Sequence, residues 1–192
     1  MIADCTALIL AGGDSSRMGQ DKAGLVLEGA TLLQRATTRM QQLFPQVIVS
    51  VRKERADVTL PQVCDVESDG GPLAGLAAGL AAVETPWLFA LACDMPFAEA
   101  RIITHMATLR GTHDAVVPQV DGHPQPLFAL YAKWALPVLL VAQDAGEKRV
   151  RAVLERLDVR YVNESELRGF DPQFRSFFDL DTPQDYRAAM EK

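Results

Sequence analysis

Trp87–Cys93 (WLFALAC) is an unbroken apolar run, closed in front by Glu84-Thr85-Pro86 and behind by Asp94. It is too short for a buried helix and lacks the polar alternation of a half-exposed strand. It therefore reads as a central strand buried on both faces, as in a parallel sheet covered by helices. The rest of the chain agrees. Thr6–Leu10 (TALIL) is a buried strand running into Gly12-Gly13, and Gln46–Val51 is strand-like. Between them, Thr31–Phe44 has helical spacing, with Thr31 as N-cap and Pro45 as stop. Pro72–Val83 predicts an Ala/Gly-rich helix and Glu99–Arg110 another; Ala115–Pro118 and Leu127–Tyr131 predict strands about a polar turn at Asp121-Gly122. Glu147–Leu157 predicts an amphipathic helix, Val159–Val162 a strand and Pro183–Met190 a closing helix. Strands alternating with helices imply an α/β fold with a mostly parallel central sheet and helices on both faces. With no repeat or low-complexity linker, residues 1–192 read as one domain. Ligands of such sheets bind beyond the carboxyl ends of the strands, so the informative loops follow Leu10, Val51, Cys64 and Cys93.

Composition narrows the function classes. With 48% hydrophobic and 23% charged residues the chain is globular, not disordered. A net charge of −6 argues against broad nucleic-acid or anionic-membrane binding, so an anionic ligand needs local cations or a metal. Cys5, Cys64 and Cys93 are scattered and form no CxxC, which disfavours disulfides or zinc and fits a reducing, cytoplasmic compartment. The N-terminus lacks a basic region and a long apolar run, and no stretch has the length of a membrane span.

Leu8–Lys22 (LILAGGDSSRMGQDK) carries the strongest chemical signal. Ala11, Gly12 and Gly13 let the backbone approach a phosphate, while Arg17 and Lys22 add positive charge. It is not a P-loop, because Lys22 lies between Asp21 and Ala23, and it lacks the Gly-x-Gly-x-x-Gly spacing of a dinucleotide fingerprint. The second signal is Asp94, at the end of the apolar run and before Met95-Pro96. A carboxylate there caps the next helix or holds Mg²⁺ beside phosphate oxygens. In Gly71–Gly75 (GPLAG), Gly75 stands one helical turn before Gly79; the pair serves close ligand approach or tight helix–sheet packing. Gly146–Arg151 (GEKRVR) places cations at a helix start, against the helix dipole, which points to an anionic partner or to a solvated face. In Asp179-Leu180-Asp181-Thr182-Pro183, Asp181 is placed to cap the last helix, and either aspartate to support a metal. His105, His113 and His123 show no ligand spacing, and no nucleophile for covalent catalysis stands out.

These segments, with Asp65, CDMPF at Cys93–Phe97, PQPLFALY at Pro124–Tyr131 and DLDTPQDY at Asp179–Tyr186, resemble the molybdenum cofactor guanylyltransferase (MobA-like) family along nearly the whole chain. The resemblance implies a Rossmann-like α/β fold and transfer of GMP from GTP, with Mg²⁺, to the terminal phosphate of a molybdopterin-type cofactor, releasing pyrophosphate. It further implies that Leu10, Ala11, Gly12, Gly13 and Asp65 bind the nucleotide. Lys22 holds phosphates, and Asp94 binds nucleotide and Mg²⁺. Gly122–Leu127 and Gly146–Arg151 face the pterin, and cofactor-delivery or molybdoenzyme-maturation proteins are further partners. Arg17, Lys22 and Asp94 are the expected catalytic groups. The chain departs from the family where Ser16 precedes Arg17, where Ser50 stands at a common Asn, and where Asp179 and Asp181 replace two asparagines. A CTP-using relative, a sugar-phosphate nucleotidyltransferase and a non-catalytic nucleotide-binding adaptor remain alternatives.

Overall fold

The structure is a computed structural model that describes residues 1–12, 21–64 and 70–190. In chain order the strands are β1 (Cys5–Leu10), β2 (Val26–Leu27), β3 (Ala30–Thr31), β4 (Gln46–Val51), β5 (Gln62–Cys64), β6 (Trp87–Ala92), β7 (Ala115–Val120), β8 (His123–Pro124), β9 (Phe128–Ala132) and β10 (Val159–Val162). The helices are α1 (Leu32–Leu43), α2 (Gly71–Ala82), α3 (Ala100–Thr108), α4 (Leu136–Asp144), α5 (Val150–Val153), α6 (Glu164–Leu167) and α7 (Pro183–Met190). The main sheet runs β10-β7-β9-β6-β1-β4-β5, with β9 antiparallel to both neighbours and β8 added antiparallel to β7 off this path.

Strand β6 is buried at all six positions, pairing in parallel with β1 and antiparallel with β9. Alternate residues of β1 feed two cores. Ala7 and Ile9 pack with α1 (Leu33, Ala36, Met40) and α3 (Ile102, Ile103, Met106); Leu8 packs with α2 (Leu73, Leu76, Leu80) and α4 (Leu139, Ala142). This period-two division of apolar side chains buries the sheet on both faces.

Local chemistry sets the ends of these elements. Thr31 and Gln34 form a reciprocal capping box at the start of α1, with bonds of 3.1 and 2.9 Å. Asp121 and Gly122 both take positive φ (51° and 73°), the primed turn that folds β8 back on β7. Two helices differ from expectation. The predicted Glu147–Leu157 helix shrinks to α5 and one 3₁₀ turn (Leu154–Arg156), because Gly146 is left-handed (φ 82°) and the Glu147 carboxylate accepts from the N–H groups of Lys148 and Arg149. Helix α4 (LPVLLVAQD) escaped the sequence reading because it is apolar on nearly every side; Leu140 and Val141 remain exposed.

Gly75 and Gly79 are packing residues. A Cβ at Gly79 would lie 2.5 Å from Cδ2 of fully buried Leu8, and one at Gly75 would lie 2.6 Å from Ser50 Oγ. Gly79→Ala is therefore expected to destabilise despite alanine's helix propensity. The clash costs about 1–3 kcal/mol against about 1 kcal/mol gained, so Tm should fall by up to about 8 °C in a thermal melt. An unchanged Tm would show that Leu8 can yield.

Among the described residues no helix is long and apolar enough to cross a membrane.

Candidate active site

From β1 the chain steps outward through β4 to β5, then returns to β6 on the other side of β1. The strand order therefore reverses between β1 and β6, whose last residues, Leu10 and Ala92, are in register. A crevice opens at such a switch point beyond the carboxyl ends. The ladder continues into it, as Cys93 N–H donates to Leu10 O (3.1 Å) and Ala11 N–H to Ser50 O (2.9 Å).

Lys22 and Asp94 meet in this crevice. Lys22 opens a 3₁₀ turn (Lys22–Gly24) capped by Asp21, whose carboxylate accepts from Ala23 N–H at 3.1 Å and pairs with Arg55. The Lys22 ammonium donates to Asp94 Oδ2 at 2.9 Å and to Asp181 Oδ1 at 2.6 Å. Lys22 and Asp94 are largely buried, at 14% and 19% side-chain exposure, while Asp181 is half exposed at 50%, so one side of the cluster opens to solvent. Burial opposes the Lys22 charge, but the hydrogen bonds to Asp181 and Asp94 outweigh it and raise its pKa above the ordinary value. The residue Asp179 is exposed, yet loss of solvent around its carboxyl, followed by the charges of Asp94 and Asp181, pushes it up to about 7.

Both aspartates had a capping alternative, and neither caps. Glu99 caps α3, accepting from Arg101 N–H at 3.1 Å. Thr182 caps α7, accepting from Asp185 N–H at 3.2 Å while Asp185 accepts from Thr182 N–H at 2.8 Å. Asp94 and Asp181 are thus left for Lys22, and Leu180 N–H, donating to Asp94 O at 3.0 Å, fixes the two segments together. Leu180 and Ala189 of α7 pack on Leu25, Leu27 and Leu32, which holds the C-terminal segment across the turn that carries Lys22.

Leu10, Ala11 and Gly12 line the same end of the sheet. A Cβ at Gly12 would meet Arg52 Cγ at 3.4 Å, ordinary contact rather than the clash that Gly75 and Gly79 would make. Gly13, Arg17 and Asp65 lie outside the described residues. Cys93 is core, and burial pushes its thiol well up, which removes it as a nucleophile. Gly146–Arg151 lies beside the start of α2, where Leu73 N–H donates to Lys148 O at 3.2 Å. Arg149 of that run pairs with Glu147, holding its carboxyl down to about 2, so its charge is met within its own segment. The sequence reading missed Arg55, which spans Asp21 and Asp57; its one signal was the charged run RKER directly after β4. It also missed Asp171 and Ser176, a buried pair with no local signature.

The MobA-like NTP transferase domain family matches residues 7–161. A Methanosarcina mazei protein named probable molybdenum cofactor guanylyltransferase is 35% identical over 94% of this chain and 87% of its own length. The chain belongs to the molybdenum cofactor guanylyltransferase family. A Pelotomaculum thermopropionicum protein of the same name is 34% identical over 94% of this chain and 89% of its own. The crystal structure of molybdopterin-guanine dinucleotide biosynthesis protein A from Archaeoglobus fulgidus superposes with a TM-score of 0.86 at 29% identity, covering 97% of each chain. As a member of this family the chain is a nucleotidyltransferase, and its crevice at the β1–β6 switch point is the candidate site of that chemistry.

Proposed function

We propose that residues 1–192 act as one domain that transfers GMP from GTP to the terminal phosphate of a molybdopterin-type cofactor, with Mg²⁺, and releases pyrophosphate. The observation that carries this reading is the Lys22 ammonium poised between two carboxylates at the switch point. The relatives named for guanylyl transfer supply the nucleotide and the acceptor.

The residues fit a divalent ion. Mg²⁺ is held by one or two carboxylates together with substrate phosphates, and Asp94 and Asp181 present hard oxygens that already share one cation. Bound there, Mg²⁺ would supply charge neutralisation for the triphosphate. The chain's own residues do the rest. The acceptor's phosphate oxygen attacks the α-phosphorus, and the bond to the leaving pyrophosphate breaks. A phosphate monoester is already anionic, so no strong base is required, and catalysis is positioning and charge stabilisation. Leu10, Ala11, Gly12 and Gly13 line the nucleotide, with Asp65 a further contact. Lys22, a permanent cation by its raised pKa, shifts from carboxylate to phosphate oxygens, and Arg17 adds a second positive charge. Three free cysteines support a reducing, cytoplasmic compartment. The acceptor and the proteins that hand on the product are the partners; at net charge −6, nucleic acid and membrane are not.

Calorimetric titration with GTP, CTP, ATP and UTP, with and without Mg²⁺, tests the reading. Mg²⁺-assisted preference for GTP is expected, followed by pyrophosphate release once molybdopterin is added. Preference for CTP moves the protein to cytidylyl transfer, and binding of no nucleotide overturns the assignment.

A further inference from the structure

Beyond the end of β4 the charged run RKER (Arg52–Arg55) leads the chain back toward β5. Arg55 is fixed there at its backbone. Its N–H donates to Gln62 Oε1 at 2.9 Å, and Gln62 Nε2 donates back to Arg55 O at 2.9 Å and on to Val58 O at 3.2 Å. Gln62 opens β5 and is in register with Val49 of β4, so the loop is tied to the main sheet. The guanidinium is fixed as well. Its Nε and Nη2 donate to the two oxygens of Asp57, at 3.1 and 2.9 Å, a two-pronged grip that suits a planar fork and not a lysine. That leaves Nη1, which donates to Asp21 Oδ2.

Asp21 passes this hold to the turn that carries Lys22. Its other oxygen, Oδ1, accepts from Ala23 N–H at 3.1 Å, and its carbonyl accepts from Gly24 N–H at 3.2 Å. Lys22 lies inside that single turn, and its ammonium reaches both Asp94 and Asp181. A 3₁₀ turn of three residues has poor hydrogen-bond geometry and needs outside support to aim a long side chain. Ala23 and Leu25, buried in the apolar clusters, fasten one side of it, and Arg55 is the polar fastening on the other. Asp21 and Asp57 are 49% and 67% exposed, and ion pairs so open to water contribute little to global stability. Such a pair still decides where a short turn points, because a misplacement of about 1 Å costs on the order of 10²-fold in rate.

We propose that Arg55 is a positioning residue for nucleotidyl transfer: held by Asp57 and Gln62, it sets Asp21 and, through it, the turn that aims Lys22. This rests on the assignment of Lys22 to the phosphate site. The loop after β4 thereby acts on the reaction without touching the substrate.

Pyrophosphate-release kinetics and amide hydrogen exchange of the full chain test this together. Arg55→Ala is expected to lower kcat by about tenfold, the cost of a shift well under 1 Å, with KM for GTP and Tm little changed. Amides of residues 22–25 should exchange faster than in the unaltered chain. In a Lys22→Ala background the same substitution should cost nothing further, because a residue that works through Lys22 has nothing left to position. Arg55→Lys keeps the charge but loses the fork, and should be as slow as Arg55→Ala. Losses that add in the double variant, or a full rate in Arg55→Lys, would make Arg55 a plain charge acting on the substrate and overturn the inference. Unchanged exchange over residues 22–25 would overturn it too. Faster exchange in Arg55→Ala beside an unimpaired Lys22→Ala enzyme would uphold the hold on the turn and sink the phosphate role of Lys22 instead.

Discussion

Replacing Lys22 with alanine is expected to lower kcat/KM for nucleotidyl transfer by about 10²–10³-fold, the effect of removing one preorganised donor from a developing oxyanion. Divalent-cation affinity should hold or rise. Lys22 is the cation that Asp94 and Asp181 share, at 2.9 and 2.6 Å, and without it the two carboxylates face each other uncompensated. Asp179 beside them is already pushed up to about 7, in part by the charges of Asp94 and Asp181, so the cluster carries surplus negative charge that a metal would relieve. Pyrophosphate release gives the first quantity and paramagnetic titration with Mn²⁺ the second. An unchanged rate would remove Lys22 from the phosphate site. A rate loss matched by lost Mn²⁺ affinity would make Lys22 a prop for the metal pocket.

The legible features were local in sequence. A continuous apolar run gave β6; Thr31 with Gln34 gave the start of α1; Asp121-Gly122 gave a turn; and a carboxylate at the end of a buried strand singled out Asp94. What stayed hidden depended on distant partners. Asp181 reaches Lys22 across 159 positions, and Arg55 reaches Asp21 across 34. Capping chemistry left both aspartates open for the same reason. Asp94 and Asp181 are both good cap residues, but Glu99 and Thr182 stand closer to the helix starts and take those bonds. The glycines show the limit from another side. A Cβ at Gly12 would meet Arg52 in ordinary contact at 3.4 Å, whereas one at Gly79 would be pressed against Leu8 at 2.5 Å.

Asp94→Asn is the sharper probe, because it keeps the shape of the side chain, an oxygen acceptor for Lys22 and the backbone carbonyl that receives Leu180 N–H. Only the charge goes. Metal-supported turnover should fall by about 10²–10³-fold or more, as for loss of a principal charge stabiliser, while GTP binding without metal stays near normal. Stability should respond differently at different pH. A carboxyl raised to about 7 in the folded state binds its proton more tightly there than when unfolded. Such a group costs stability as pH rises from the unfolded value near 3.8 through 7. Removing the Asp94 charge weakens the pair with Lys22 at both pH values, but relieves repulsion only where Asp179 is ionised, so the change in Tm should be more favourable at pH 7.5 than at pH 4. Carboxyl NMR titration of Asp179 and melts at the two pH values read this directly. A variant slower in catalysis but more stable at neutral pH would show that Asp94 keeps its charge for function, at the expense of the fold. Equal loss of stability at both pH values would mean that Asp94 is a structural strand end, and the metal assignment would fall with it.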